Sequence, residues 1–320
     1  MVGRFICFSF FDCMHFIVTG GAGFIGSHLV EKLLNLGHHV TVIDNFSTGK
    51  AENLPASNKS LRIIELDIRS PENVFSIQGQ FDGIFHLAAL VSVPESIENP
   101  QKSFEINSCG TFYVLELARK LHIPRFVFVS SAAVYGNTEK IPVSEDDPLN
   151  PLSPYGLEKM HGELLCKMYS GIFGVKARAA RFFNVYGPRQ DPSSPYSGVI
   201  SIFARRLFSG QEAVIYGDGL QTRDFIFVSD VADCLINFML DAKTPNDVYN
   251  VGTGKSITLA DLYKTICEIL HIELNPRFQD ARPGDIRHSR ADISRIQKDF
   301  SFQPKYSIKD GLIELIKHIR

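Results

Sequence analysis

The stretch that decides the fold is HFIVTGGAGFIG, residues 15–26. It opens with a short apolar, β-branched run, His15–Thr19, which predicts a buried strand. Four glycines come next: Gly20, Gly21, Gly23 and Gly26. From residue 27 to 36 the apolar residues recur with helical spacing, and Gly37 follows as a C-terminal cap. A strand, a glycine turn and a helix in this order indicate a dinucleotide site, because a backbone without side chains can turn sharply and approach a pyrophosphate.

The end of the second predicted strand, residues 39–43, bears on the cofactor. Asp44 and Asn45 follow it directly. An acid about 20 residues beyond the glycines can accept hydrogen bonds from both hydroxyls of an adenosine ribose, and it repels a 2′-phosphate. No Arg follows directly to bind such a phosphate, so the pattern predicts NAD rather than NADP. A second glycine run, residues 252–256, imitates a phosphate loop, but Tyr249 replaces the first glycine of that motif, so we predict a plain loop.

Composition excludes several classes of protein. The 320 residues are enough for one large domain or two, and the net charge of −2 offers no basic face for nucleic acid. Six cysteines lie scattered without metal or redox spacing, which is typical of reduced thiols in the cytoplasm. The apolar run within residues 1–13 is too short to span a bilayer. We expect a cytoplasmic protein with no metal site and no membrane or nucleic-acid partner, in which residues 1–13 are a dispensable N-terminal extension.

Strand and helix patterns alternate along the chain, which predicts a parallel sheet covered by helices on both faces. Further strands are expected at residues 61–66, 83–87, 125–131 and 175–182, and helices at 104–121, 199–208 and 231–240. The predicted class is α/β, a Rossmann-type doubly wound parallel sheet with a smaller, interleaved α/β substrate domain. We assign residues 14–182, completed by about 225–251, to the NAD-binding domain, and residues 183–224 and 252–320 to the smaller substrate domain.

Tyr155 and Lys159 are candidates for proton transfer. Four residues apart on a helix, their side chains project from one face. A tyrosine titrates near pH ~10, and a nearby ammonium favours the phenolate, so we expect Lys159 to lower the pKa of Tyr155. Alone, such a pair is more often a solvated helix face, and its significance depends on the motifs around it.

In combination, these motifs resemble those of the extended short-chain dehydrogenase/reductase family, from about Met14 to the C-terminus. The motifs are the glycine turn, Asp44, Asp67-Ile68, His86-Leu87-Ala88-Ala89, Ser130-Ser131 and Tyr155 with Lys159. The resemblance implies catalytic roles for Ser131, Tyr155 and Lys159. It implies that NAD is bound by Gly20, Gly23, Phe24, Ile25, Gly26, Asp44, Asn45, Asp67, Ile68, Leu87, Ala88, Ala89, Ser130, Tyr155 and Lys159.

The second half of the chain resembles the nucleotide-sugar branch of that family in three runs, residues 181–189, 217–225 and 282–285. In this branch two arginines would clamp the diphosphate by forked hydrogen bonds, although an Arg more often forms a surface ion pair. An aromatic such as Tyr216 or Phe225 would pack near the base, unless it is ordinary core. The implied substrate-binding residues are Ser92, Ser131, Tyr155, Asn184, Val199, Tyr216, Arg223, Arg282, Asp285 and Ser289.

Ala132 and Ala133 limit which reaction the resemblance implies. The 4,6-dehydratases that the chain resembles carry an Asp-Glu pair here, and the glucuronate decarboxylases and GDP-mannose dehydratases carry a Glu at the position of Ala133. Elimination of water needs an acid and a base, and alanine supplies neither. The fucose-synthase type needs a Cys beside the Ser, which is missing as well. The resemblance therefore implies redox-neutral 4-epimerisation of a UDP-hexose through a 4-keto intermediate.

Ser289 bears on the choice of sugar, because glucose-only epimerases carry a bulky Tyr at the corresponding position. A small residue leaves room for a 2-acetamido group, so we expect UDP-GlcNAc/UDP-GalNAc to be accepted alongside UDP-glucose/UDP-galactose, while the bulk of Val91 argues against exclusive specificity. Two alternatives stay open, a UDP-glucuronate 4-epimerase and a non-catalytic NAD-binding scaffold or sensor. The resemblance also implies a homodimer joined through the helices that start near Phe104 and Pro154.

Overall fold

The centre of the protein is a seven-stranded sheet in which every neighbouring pair of strands runs parallel. The computed structural model describes residues 13–191, 198–241, 244, 247–281 and 286–319. The first six strands of the sheet are β1 (His15–Thr19), β2 (His39–Asp44), β3 (Leu61–Glu65), β4 (Gly83–His86), β5 (Arg125–Ser131) and β6 (Lys176–Phe182). The seventh is β11 (Val248–Val251), and the strand order is β11-β6-β5-β4-β1-β2-β3. This confirms the predicted Rossmann-type α/β class.

Six short strands form three small pairs outside this sheet. They are β7 (Asn184–Tyr186), β8 (Val214–Tyr216), β9 (Thr222–Arg223), β10 (Phe225–Phe227), β12 (Ile257–Thr258) and β13 (Arg277–Gln279). The pairs β10·β7 and β13·β8 are parallel, whereas β12·β9 is antiparallel. A separate hydrophobic core lies among these strands and the helices around them. The division of the chain into domains stays a prediction.

The alternating pattern predicted some but not all of the helices. The helices are α1 (Phe24–Asn35), α2 (Pro71–Phe75), α3 (Val93–Glu98), α4 (Pro100–Phe104), α5 (Thr111–Lys120), α6 (Pro154–Phe173), α7 (Val199–Phe208), α8 (Val228–Leu240), α9 (Leu259–Leu270), α10 (Ser294–Phe300) and α11 (Ile308–Ile319). Of these, α2, α3, α9 and α10 were not predicted from the sequence. None of the helices, within the described ranges, is long and apolar enough to cross a membrane.

Strand β1 shows why a continuous apolar run in the sequence predicts a central strand. Phe16 and Val18 face one core and Ile17 faces the other, and all three are fully buried. Because helices cover both faces of the sheet, a central strand is apolar at every position rather than at alternate ones. The continuous apolar run therefore predicted the strand within a residue of its observed ends.

The segment predicted as a helix at 104–121 is helical, but it is not one continuous α-helix. It is divided into α4, a π-helical segment Glu105–Gly110, and α5. A π-helical turn carries one extra residue relative to an α-turn and so shifts the faces of the helix on either side of it. Its effect is to place Asn107 in the protein interior, where it is 3 % exposed.

Candidate active site

The glycine turn lies at the carboxyl end of β1. The chain continues from β1 to β2 on one side, whereas β4 adjoins β1 on the other, so a crevice is expected where the strand order reverses. Gly20 has a φ of +69°, and a Cβ at Gly26 would lie 2.1 Å from the Gly20 carbonyl oxygen. Only glycine fits this crossing of turn and helix, which leaves the first turn of α1 open toward the crevice.

Asp44 ends β2 beside the same turn. Its buried carboxylate accepts hydrogen bonds from the N–H groups of Ala22 and Phe46, each at 2.9 Å. A Cβ at Gly49 would lie 2.9 Å from both carboxylate oxygens, so the absence of a side chain there keeps space around the acid. A fixed acid, a glycine turn and an open helix N-terminus fit the adenosine and pyrophosphate of a dinucleotide.

Asp67 and Asn45 lie together at the next strand ends. Asn45 Nδ2 donates to Asp67 at 3.0 Å, and the Arg69 guanidinium forks onto the same carboxylate. The hydrogen bonds from Arg69 lower the pKa of Asp67 to about 2. The side chain of Ile68 is buried in the core against Gly110, so only its backbone is placed to face a ligand.

His86 ties the loop after β4 to its neighbours. Its Nδ1 lies 2.7 Å from Thr19 Oγ1, and its Nε2 lies 3.0 Å from Thr111 Oγ1. The Ala88 N–H donates to Thr19 Oγ1 at 3.2 Å, which fixes the segment Leu87–Ala88–Ala89 at the edge of the crevice. Burial, reinforced by the Lys159 charge, lowers the pKa of His86 to about 3, so the imidazole is neutral.

Helix α6 presses closely on β5 and on the 3₁₀ turn Ala132–Tyr135. Ser153 caps the helix by accepting from the Gly156 N–H at 3.1 Å. A Cβ at Gly156 would lie 2.8 Å from the Ala133 carbonyl oxygen, and one at Gly162 would lie 2.3 Å from the Phe128 ring. The two glycines therefore allow the approach that brings the helix side chains to the end of β5.

The structure brings Ser131, Tyr155 and Lys159 together. The Tyr155 phenol lies close enough to Ser131 for the serine to lower its pKa, and Ser131 Oγ accepts the Ala133 N–H at 3.2 Å. Lys159 is 4 % exposed, and its Nζ donates to the Val129 carbonyl at 2.8 Å and lies 5.7 Å from the centre of the Tyr155 ring. Ser131 thus serves as a backbone cap and as a partner of the phenol at once.

The expectation that Lys159 lowers the pKa of Tyr155 is wrong for this structure. Burial raises the pKa of Tyr155, the hydrogen bond from Ser131 lowers it, and the charge of Glu158 raises it. Burial also lowers the pKa of Lys159 to about 8. Desolvation of both groups outweighs the attraction that the four-residue spacing suggested, because both side chains are buried.

A buried polar network lies behind the trio. Arg181 forks onto Glu163, with Nε–Oε1 at 2.9 Å and Nη2–Oε2 at 2.7 Å, and it donates to Tyr135 Oη at 2.8 Å. Ser130 donates its hydroxyl to Glu163. The Ser130 side chain therefore joins β5 to α6, and only its backbone is placed to face a cofactor.

A cavity of about 330 Å³ opens beside the trio. It brings together four predicted substrate residues: Ser131, Asn184, Arg223 and Ser289. Ser92, Tyr155, Val199 and Tyr216 do not line it, and the Ser92 hydroxyl caps α3 by accepting the Glu95 N–H at 3.1 Å. Arg282 and Asp285 lie outside the described residues.

Asp224 holds Arg223 in this wall. It is fully buried, and its carboxylate accepts from the Thr253 N–H at 2.8 Å, the Gly254 N–H at 3.0 Å and the Ala291 N–H at 3.1 Å. The Ser289 N–H donates to the Thr222 carbonyl at 3.1 Å. These hydrogen bonds hold segments that are distant in sequence close to Arg223.

Sequence reasoning missed several residues of the cavity wall. Thr138 and His288 supply polar groups, and Phe183 and Val143 supply apolar ones. Ala132 and Ala133 also line it, and no Asp or Glu is among the described residues of the wall. Thr138 lies in a loop without a motif. His288 precedes the predicted Ser289 but was not itself chosen, and it is placed by tertiary contacts such as the 3.0 Å approach of its Nδ1 to Thr222 Oγ1.

The profile of the NAD dependent epimerase/dehydratase family matches residues 16–252. The chain belongs to this family. Its cofactor is therefore NAD, consistent with a glycine turn and an acid that suit a dinucleotide. The assignment of individual residues to NAD stays a prediction.

Known proteins similar to the chain align with nearly all of it. A putative UDP-glucose 4-epimerase of Methanocaldococcus jannaschii is 37% identical over 95% of this chain and 98% of its own. A UDP-N-acetyl-alpha-D-glucosaminuronate decarboxylase of Bacillus cytotoxicus is 33% identical over 95% of this chain and 97% of its own. Similarity at this level thus includes relatives with different named reactions.

Solved structures agree closely in fold. A UDP-N-acetylglucosamine 4-epimerase of Methanobrevibacter ruminantium, in complex with UDP-N-acetylmuramic acid, has a TM-score of 0.92 and 39% identity, covering 96% of this chain and 98% of that one. A UDP-glucose 4-epimerase of Thermus thermophilus in complex with NAD has a TM-score of 0.87 and 35% identity, covering 96% and 99%.

Proposed function

We propose that the protein is an NAD-dependent, redox-neutral UDP-sugar 4-epimerase. The observation that carries the proposal is the proximity of Tyr155 to Ser131, which lines a cavity whose wall also holds Asn184 and Arg223 but no described carboxylate. A phenol, a serine and a cation suit proton exchange at a sugar hydroxyl next to a bound diphosphate. The names of the most similar relatives favour the same reaction.

In this proposal Tyr155 reacts as the phenolate and removes the proton from the sugar O4, and Ser131 hydrogen-bonds the same oxygen. Lys159, whose Nζ donates to the Val129 carbonyl, is proposed to hold a positive charge beside the phenol and to contact the bound cofactor. Bound NAD supplies the acceptor and donor of hydride. The 4-keto sugar must then present its other face, and Tyr155 returns the proton, so the cycle needs no added cofactor.

Two alanines favour epimerisation over decarboxylation and dehydration. Ala132 and Ala133 expose methyl groups to the cavity next to Ser131. A second acid–base step at C5 or C6 needs a titratable side chain at that wall, and alanine has none. This separates the chain in chemistry from its decarboxylase relative, although the two share a third of their residues.

Arg223 and Asn184 are proposed to bind the diphosphate, and Ser289 to leave room for a 2-acetamido group. All three line the cavity. We propose that both UDP-glucose/UDP-galactose and their N-acetylated counterparts are substrates. Ser289→Tyr should depress turnover of the acetamido sugars while sparing UDP-glucose, and an equal effect on both would contradict this gate.

The deciding experiment incubates the purified protein with UDP-glucose and no added nucleotide cofactor. Formation of UDP-galactose is expected, and it should be abolished by Tyr155→Phe. A parallel panel of UDP-galactose, UDP-GlcNAc, UDP-GalNAc and UDP-glucuronate identifies the preferred sugar. Release of CO₂ from UDP-glucuronate would point to a decarboxylase, net NADH to a dehydrogenase, and NAD binding without turnover to a scaffold.

We also propose that two copies of the chain associate through helix α6 and the adjacent helices α4 and α5. One face of α6 exposes Leu157, Leu164, Met168 and Ile172, and Phe104 and Phe112 are exposed close by. Exposed apolar side chains in one contiguous stripe are typical of an interface. Light scattering should report a dimer that dissociates in the double variant Leu164→Lys/Ile172→Lys, and a monomeric wild-type protein would contradict the proposal.

A further inference from the structure

Glu158 is a buried carboxylate that the proposed chemistry does not use. It precedes Lys159 in α6 and is 3 % exposed. Its Oε2 accepts hydrogen bonds from the Ser103 hydroxyl at 2.6 Å and from Asn107 Nδ2 at 2.7 Å. Burying a carboxylate is costly unless it is well hydrogen-bonded, and these two donors meet that requirement without neutralising its charge.

Asn107 carries this contact onward to the cofactor crevice. Its Oδ1 accepts the Leu90 N–H at 2.8 Å, and its Nδ2 donates to the Leu90 carbonyl at 3.0 Å. Leu90 directly follows the segment Leu87–Ala88–Ala89 that edges the crevice. A continuous set of hydrogen bonds therefore runs from the helix that bears Tyr155, through the π-helical segment, to the loop after β4.

The charge of Glu158 acts on both groups of the catalytic pair. It opposes the lowering of the Lys159 pKa by burial, and it raises the pKa of Tyr155. The other ionisable groups that face Lys159 contribute less net charge, because His86 from β4 is neutral and Glu163 is paired with Arg181 from β6. Glu158 is thus a negative charge beside Lys159 whose hydrogen bonds come from neutral side chains.

We propose that Glu158 is a positioning residue whose buried negative charge stands next to Lys159 in α6 and whose hydrogen bonds, through Asn107, fix the loop after β4. The inference deepens the proposed function and rests on it for its catalytic meaning. Its two parts are separable, since one depends on charge and the other on hydrogen bonding. Glu158→Gln removes the charge but keeps an oxygen acceptor, whereas Glu158→Ala removes both.

The test uses two readouts that need no turnover. Hydrogen exchange of the Leu90 amide should speed up roughly tenfold or more in E158A and stay close to wild type in E158Q, because loss of one buried hydrogen bond corresponds to about that factor. Tyrosinate absorbance, taken as the difference between each protein and its Tyr155→Phe counterpart, should place the Tyr155 ionisation about one pH unit lower in E158Q than in the wild type.

Activity adds a third readout if the protein epimerises UDP-sugars. A lower Lys159 pKa in E158Q should move the alkaline limb of the kcat/KM profile down by about one pH unit. Glu105→Gln, a neutralisation at a half-buried site of the same π-helical segment, should change none of the three readouts. Unchanged Leu90 exchange in E158A, or an unmoved Tyr155 ionisation in E158Q, would overturn the proposal. Absence of epimerisation with both shifts present would instead count against the proposed function.

Discussion

Two buried carboxylates flank Lys159 on one helix, and the protein stabilises them in different ways. Glu163 is matched by the Arg181 guanidinium through two hydrogen bonds, and both side chains are about 5 % exposed. Glu158 is held by Ser103 and Asn107, which carry no charge. The comparison teaches that Glu163 forms an ion pair of zero net charge that joins the sheet to α6. The negative charge of Glu158 is not neutralised in this way and acts on the catalytic groups.

Breaking the ion pair should give the largest effect. Arg181→Met would leave Glu163 buried without its cation, and we expect the free energy of unfolding to fall by roughly 3–5 kcal/mol in urea denaturation. The double variant Arg181→Met/Glu163→Met removes both charges and should recover much of this loss. A loss below about 1 kcal/mol for the single variant would show that the pair is not the anchor that its geometry suggests.

His86 offers a third solution for an ionisable group near Lys159, since it stays neutral. Its pKa is lowered from 6.5 to about 3, so the unfolded chain binds a proton that the folded protein excludes as the pH falls through that window. Its contribution to stability is present above pH 6.5 and is lost toward pH 3, at about 1.4 kcal/mol per pH unit. Thermal unfolding between pH 6 and 4 should show a shallower decline in His86→Gln than in the wild type.

The approach of α6 to β5 can be loosened without touching any charge. Gly162→Ala would place a methyl group 2.3 Å from the Phe128 ring, and we expect a loss of about 1–3 kcal/mol in unfolding free energy together with lower activity. Gly171→Ala is the matched control, because a Cβ there meets nothing within 4 Å, and it should be neutral or stabilising by up to about 1 kcal/mol. Equal effects of the two would contradict a packing role for Gly162.

Removing the charge of a solvent-exposed carboxylate should change the unfolding free energy least. Glu314 pairs with Lys317 at 2.7 Å on α11, and both side chains are about half exposed. Glu314→Gln should change the unfolding free energy by no more than about 0.5 kcal/mol, as expected for a solvent-screened pair. A larger loss in chemical denaturation would mean that the contrast between buried and exposed acids is overstated.

The sheet could be predicted from sequence because its physics is local. Strand β5 and helix α7 were placed at their observed bounds, since apolar periodicity and turn residues mark them. The π-helical segment could not be, because no composition signal distinguishes an i→i+5 hydrogen bond from an i→i+4 one. Asn107 and its link to Glu158 were hidden for that reason.

For the site, motifs predicted residue types but not environments. The resemblance brought Ser131, Asn184, Arg223 and Ser289 into one list, and the structure places all four on one cavity. The pKa of Tyr155 could not be predicted correctly, because it depends on how deeply the phenol is buried, which the fold as a whole determines. Ser92 and Ser130 were chosen by position in a motif, yet their hydroxyls are engaged by backbone or by Glu163.

The bonds made by Asp224 have a consequence for how the protein is made. Its donors stand 29, 30 and 67 positions further along the chain. Such long-range contacts are slow to form, and during synthesis they must wait for residue 291 to leave the ribosome. Most of the central sheet can therefore form in the nascent chain before Arg223, next to Asp224, is held in place. The ability to bind an anion should accordingly be acquired last.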